Sequence, residues 1–224
     1  GSIDGFILSL SAETQLKNEY THLKELLDQG IPIVLFDRVT SEIDCDKVVL
    51  NDKEIAREAV EHFISAGLKN IALVTTEKYF NVSESRRYGY LDALEAHNIK
   101  IEENLILTLP HDMENDRLIT EFFQNNKVDA VLCVNEIFAI QCMSIIQNLG
   151  FNVPKDISII GFTNGILSRF SVPRLSTVAQ HGELMGERAA KLLIDRMEWV
   201  DEVEEPFKTE VINATLIKRG SSIN

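Results

Sequence analysis

The chain is short of basic residues: 22 Lys and Arg stand against 35 Asp and Glu in 224 residues, for a net charge of −13. Binding to nucleic acid rests on clustered cations that displace phosphate counterions, so this segment is a poor partner for DNA or RNA. It also has no long apolar run. No stretch approaches the 18 or so residues of a membrane span, and no charged-then-apolar leader opens the sequence, so no membrane partner is expected. Cysteine is scarce and odd in number. Cys45, Cys133 and Cys142 share no C-x-x-C spacing, which reads as free buried thiols in a reducing cytoplasm. His22, His62, His97, His111 and His181 are scattered, with no H-E-x-x-H and no Cys or carboxylate partner at ligand spacing. A metal site is therefore not expected; most of these histidines read as surface residues, and His111 as a residue that could line a cleft. Neither G-x-G-x-x-G nor G-x-x-x-x-G-K-[ST] occurs, which removes the dinucleotide and Walker fingerprints. Gly161 and Gly165 frame Phe-Thr-Asn and not a nucleophile elbow. No catalytic residue and no cofactor follow from these patterns. Repeats of 20 to 50 residues and low-complexity segments are missing as well, which excludes a solenoid.

What is present is ordinary globular material, 45% apolar and 25% charged. Nearly continuous apolar runs at Phe6–Leu8, Pro32–Phe36, Ile71–Val74, Ala130–Val134 and Ile157–Phe162 alternate with helical periodicities. Strands covered on both faces read this way, so the pattern predicts parallel βαβ units. Asp52 is placed to cap a helix whose apolar stripe includes Ile55, Ala59, Val60 and Phe63, with Gly67 as its left-handed stop. Asn135 is placed to cap another, and a late helix spans about Gly182 to Met197. Strict alternation from Phe207 to Lys218 predicts one last strand at a sheet edge. The acidic stretch Asp201–Glu205 before it reads as a solvated loop.

Open parallel α/β sheets bind ligands beyond the carboxyl ends of their strands. Polar residues collect after each apolar run: Ser9 and Ser11, Asp37 and Arg38, Arg86 opening the next helix, Asn135, then Thr163 and Asn164. Hydroxyl, carboxylate, guanidinium and amide groups together form an inventory for hydrogen-bonding a polyhydroxylated molecule.

Several segments stand in the order and spacing of one family. They are Asp4-Gly5-Phe6-Ile7-Leu8, Gly30 to Arg38, Arg86-Arg87-Tyr88-Gly89-Tyr90 and Asn135-Glu136. Val153-Pro154-Lys155-Asp156-Ile157-Ser158-Ile159-Ile160-Gly161-Phe162 is the most specific, followed by Pro173 to Val178 and the closing Ile217 to Ser222. The chain resembles the effector-binding domain of LacI/GalR-type transcription regulators over essentially its whole length. That resemblance implies a two-lobed periplasmic-binding-protein-like α/β fold with parallel sheets, three crossovers and a small sugar-like ligand in the interlobe cleft. Residues 1–51 and 180–199 would form an N-terminal lobe truncated at its start, and 52–179 and 200–224 the C-terminal lobe. Arg86 resembles the arginine that holds ligand hydroxyls, and Asn135 the amide that does so from the other lobe. Asp37 matches an acidic hinge-side position, and Ser9 and Ser11 match pocket positions. Thr163 and Glu136 depart from the pattern, both standing where the family usually carries Asp. Losing the first carboxylate removes a bidentate acceptor for two sugar hydroxyls. The resemblance further implies a cytoplasmic homodimer, with helix faces at 52–66 and 182–197 as candidate contacts, that reaches DNA only through a headpiece lying outside the chain. The alternatives are a solute-binding protein serving a sugar transporter and an α/β enzyme using Arg86, Asp37 and Glu136.

Overall fold

The structure is a computed structural model and describes residues 3–76, 81–110, 115–199 and 206–223. His111 and the acidic stretch Asp201–Glu205 lie outside the described residues. In chain order the strands are β1 (Phe6–Leu8), β2 (Ile33–Phe36), β3 (Asp46–Leu50), β4 (Ile71–Thr76), β5 (Ile106–Leu109), β6 (Ala130–Cys133), β7 (Ser158–Thr163), β8 (Ser176–Ala179), β9 (Thr209–Ile212) and β10 (Thr215–Ile217). The helices are α1 (Ala12–Lys17), α2 (Thr21–Asp28), α3 (Asp52–Ser65), α4 (Asn81–Ala96), α5 (Asp116–Asn125), α6 (Glu136–Asn148), α7 (Ile166–Phe170) and α8 (Gly182–Met197). No described helix is long and apolar enough to cross a membrane.

Two compact units divide the chain: Gly1–Asn51, Tyr79–Val82 and His181–Asn213 form the first, and Asp52–Lys78, Ser83–Gln180 and Ala214–Asn224 the second. The first is built on a parallel sheet ordered β1-β2-β3-β9, with Leu8 opposite Leu35, Phe36 opposite Val48 and Leu50 opposite Ile212. Leu10, Tyr20, Leu23, Ile33, Leu35, Ile43 and Cys45 form one core cluster of this unit. Helix α8 packs against β1, β2, β3 and β9, and it brings Arg196 to the buried Asp46 at the head of β3. Arg196 Nε and Nη2 donate to the two Asp46 oxygens, each at 2.9 Å, and the Lys208 amide donates to Oδ1 at 2.8 Å. A carboxylate buried this deeply needs such charge-assisted hydrogen bonds to offset its desolvation.

The second unit carries the sheet β10-β8-β7-β6-β4-β5, parallel except for β10, which runs antiparallel to β8. All of β4 and β6, and β7 up to Phe162, are buried, as their unbroken apolar character predicts for strands covered on both faces. Its core is one continuous cluster including Phe63, Tyr90, Leu132 and Phe162, and the Tyr90 hydroxyl donates to the Ile71 carbonyl at 2.8 Å. Asn135 does cap α6, accepting from the Phe138 amide at 2.8 Å, and Gly67 follows α3 at φ +84°. Cys45, Cys133 and Cys142 are free and buried.

Four expectations differ from the structure. The alternating run 207–218 is two strands, because residues 213 and 214 carry the chain from one sheet to the other. Consequently β9 extends the β3 ladder within the first unit, although residues 200–224 were expected together in the second lobe. Asp52 is the first residue of α3 and not its preceding cap. Finally, His62 is buried on α3, and burial followed by the nearby Lys218 charge pushes its pKa below the ordinary histidine value.

Where α4 crosses α3, Gly89 lets the backbones approach. A Cβ there would strike the Lys53 carbonyl oxygen and approach Ala56 Cβ and the Arg57 amide at 2.9 Å. Backbone cannot yield as a flexible side chain can, so Gly89→Ala is expected to destabilise the protein by about 1–3 kcal/mol, measured by urea unfolding.

Candidate ligand-binding site

In the second unit, β4, β6 and β7 are parallel neighbours, so their carboxyl ends form one edge. Arg86 comes to this edge from the second turn of α4 and not from its start as expected. The residue is only 3% exposed. Its Nε donates to Asp52 Oδ1 at 2.7 Å, its Nη1 to the Val134 carbonyl at 2.6 Å, and its guanidinium carbon lies 3.9 Å from the centroid of the Phe162 ring. One anion, one carbonyl at the end of β6 and one aromatic face at the end of β7 thus fix the group from three sides. The remaining nitrogen, Nη2, is buried with no partner among the described residues. Thr76 Oγ1, at the end of β4, is likewise buried without one. A buried polar atom left unsatisfied costs about 1–3 kcal/mol, a cost that a hydroxyl-bearing ligand at this edge would relieve.

The other expected residues divide sharply. Asn135 is half-buried behind Val134, and its oxygen is used in capping α6, which leaves the amide nitrogen to donate outward. It belongs to the same unit as Arg86 and not to the other lobe. Thr163 closes β7, half-buried, next to Phe162. Asn164 adopts a left-handed φ of +67°, donates its amide to Thr177 Oγ1 at 2.9 Å, and accepts on Oδ1 from Arg219 Nη2 at 2.6 Å. Its oxygen is therefore engaged by Arg219. Glu136 accepts on Oε1 from the Ser168 amide at 2.9 Å, so the carboxylate that an enzyme would have used as a base clamps the start of α7 instead.

In the first unit, Ser9 follows β1 and accepts from Arg38 Nε at 3.3 Å, while the Leu10 amide donates to the Arg38 carbonyl at 3.0 Å. Asp37 sits in the turn after β2 at φ +58°, its amide donating to Val48 O at 3.0 Å. Ser11 is exposed, and its oxygen caps α1 by accepting from the Thr14 amide at 3.0 Å, a local role that accounts for it without a ligand. Among the described residues no group of His, Cys, Asp or Glu could hold a metal ion.

Sequence reasoning missed Asp52, Phe162 and Thr76. Asp52 carries no local signal, since its partner is 34 residues away; Phe162 reads as core; and Thr76 lies just past the apolar run. A larger hollow of about 750 Å³ lies at the amino ends of β2 and β3, lined by Asp4, Gly30, Pro32, Asp46, Arg196 and Phe207 among others, and includes none of the expected ligand residues. There Arg196 and Asp46 satisfy each other.

Comparison with known proteins adds four findings. A family described as a periplasmic binding protein-like domain matches residues 60–222. The "Probable HTH-type transcriptional repressor ExuR" of Bacillus subtilis (strain 168) is 34% identical over 197 residues, 85% of this chain and 57% of that protein. The "HTH-type transcriptional repressor PurR" of Escherichia fergusonii is 30% identical over 226 residues, 98% of this chain and 63% of that protein. The chain therefore spans less than two thirds of the length of these curated relatives. Among solved structures, a LacI family transcriptional regulator from Enterococcus faecium with bound ribose matches with a TM-score of 0.84 at 26% identity, covering 98% of this chain and 80% of that one.

Removing one partner of a buried pair leaves the other charge uncompensated. Asp52→Ala is accordingly expected to cost about 3–5 kcal/mol in urea unfolding, and the double variant Asp52→Ala, Arg86→Met to recover most of that loss.

Proposed function

We propose that this chain, which belongs to the periplasmic binding protein-like family in its LacI/GalR branch, is the effector-sensing domain of a DNA-binding transcription regulator. Its ligand is a small sugar or sugar derivative received at the carboxyl ends of the strands. The observation that carries this reading is Arg86: buried, immobilised by Asp52, Val134 and Phe162, and left with one donor that no described residue accepts. A guanidinium held so rigidly can discriminate a correctly placed hydroxyl, because little side-chain entropy is lost when the ligand arrives.

In this reading Arg86 Nη2 donates to a ligand oxygen, Thr76 Oγ1 and the Asn135 amide complete the set from the second unit, and Thr163 offers a hydroxyl where the family resemblance leads one to expect a carboxylate. Ser9 and Asp37, with Arg38, are the candidates at the carboxyl ends of β1 and β2 in the first unit. A ligand can switch the protein only by its difference in affinity between two states. That difference would be passed to a DNA-binding headpiece in the whole protein, acting as a cytoplasmic homodimer. No reaction is assigned. Glu136, the base that an enzyme reading would use, is engaged by the Ser168 amide.

Isothermal titration against neutral sugars, acidic sugars and nucleobases tests the proposal, with pentoses first because ribose is the ligand named for the Enterococcus faecium structure. One sugar is expected to bind saturably, and Thr76→Val to weaken it by roughly tenfold, the loss of about one hydrogen bond. A folded protein that binds no member of the panel would overturn the reading.

A further inference from the structure

Arg169, Arg174 and Arg219, together with Phe170, line a surface hollow of about 400 Å³ in the second unit. Arg219 is fixed there by neutral acceptors: its Nη1 donates to Ser168 Oγ at 3.1 Å and to the Leu175 carbonyl at 3.0 Å, and its Nη2 to Asn164 Oδ1 at 2.6 Å. Arg169 and Arg174 are exposed, and neither makes an ion pair among the described residues. Glu136 is within electrostatic reach of Arg219, yet its Oε1 is already engaged by the Ser168 amide. Burial, and then the charges of Arg169 and Arg174, hold the Arg219 pKa below its ordinary value, with Glu136 pulling the other way.

Three cations gathered around one hollow repel one another, and Glu136 is the carboxylate that acts against Arg219. We infer that this hollow binds a phosphate monoester, its phosphoryl group held among the guanidiniums of Arg169, Arg174 and Arg219 and its organic part lying against the Phe170 ring. Guanidinium forks pair with phosphoryl oxygens through parallel charged hydrogen bonds. Arg219 is already immobilised, which lowers the entropy lost on binding. The hollow is of the size that holds a small molecule and not a bare ion alone, and Phe170, 78% exposed, offers an aromatic wall that nothing described covers. Because Arg219 also holds Asn164, which follows β7, occupancy here would bear on the loop at the end of that strand.

The test titrates the chain at low salt with phenyl phosphate, inorganic phosphate and phenol, followed by calorimetry. Phenyl phosphate is expected to bind saturably and more tightly than inorganic phosphate, and phenol not at all. Arg169→Gln and Arg174→Gln, both at exposed positions, should each weaken phenyl phosphate about tenfold, as expected for loss of a hydrogen bond to a charged group. Phe170→Ala should abolish the advantage of phenyl phosphate over inorganic phosphate. Thr76→Val, which impairs the sugar site proposed above, should leave phenyl phosphate binding as in the parent protein, so failure at one site is distinguishable from failure at the other. The inference is overturned by the absence of saturable binding, by affinities indifferent to both arginine substitutions, or by a change of sedimentation coefficient on Arg174→Gln without loss of phosphate affinity, which would mark the face as a contact between copies of the chain.

Discussion

Arg86 is the point at which the second unit is tied together. Its guanidinium gathers the first residue of α3, the carbonyl beyond β6 and the ring that ends the buried part of β7, so four elements share one side chain. A charge this deep is tolerated only when an opposite charge and hydrogen bonds surround it, and Asp52 and Val134 supply these. The aromatic face adds attraction that is stronger in a dry setting than at a surface. The arrangement is worth little as stabilisation compared with an apolar cluster of the same volume, and its fourth direction, Nη2, has no partner among the described residues.

Much of the scaffold was legible in the chain. Runs such as Ala130–Cys133 announce strands buried on both faces because helix packing on either side leaves no position for a polar residue. Asn135 could be read as a cap from its place before the α6 periodicity, since capping is local chemistry. What could not be read was non-local. Nothing near Asp52 points to Arg86, and nothing in the alternation of residues 207–218 says that the chain changes sheets halfway, because two edge strands share one period. Ser11 and Asn164 show the complementary limit: both are polar residues at strand ends, yet one caps a helix and the other answers to Arg219. Polar identity at an edge marks a candidate, and the hydrogen-bond partner decides.

Charge has the same two scales. Averaged over the chain, the excess of acids argues against contact with phosphates. At the end of α7 the local sign is reversed, because Arg169, Arg174 and Arg219 come together from separate stretches of sequence. By contrast, Arg196 in the first unit meets Asp46 in a matched pair, so these two charges of the large hollow answer each other. A basic residue gains meaning from whether its partner is already inside the protein.

The neighbouring strands β9 and β10 complete two different sheets although only residues 213 and 214 separate them. On a ribosome adding about 5–20 residues per second, the two arrive within about a second of each other. Neither sheet can therefore mature while the other waits, and a nascent chain would hold both sheets one strand short until residues 209–217 had been made.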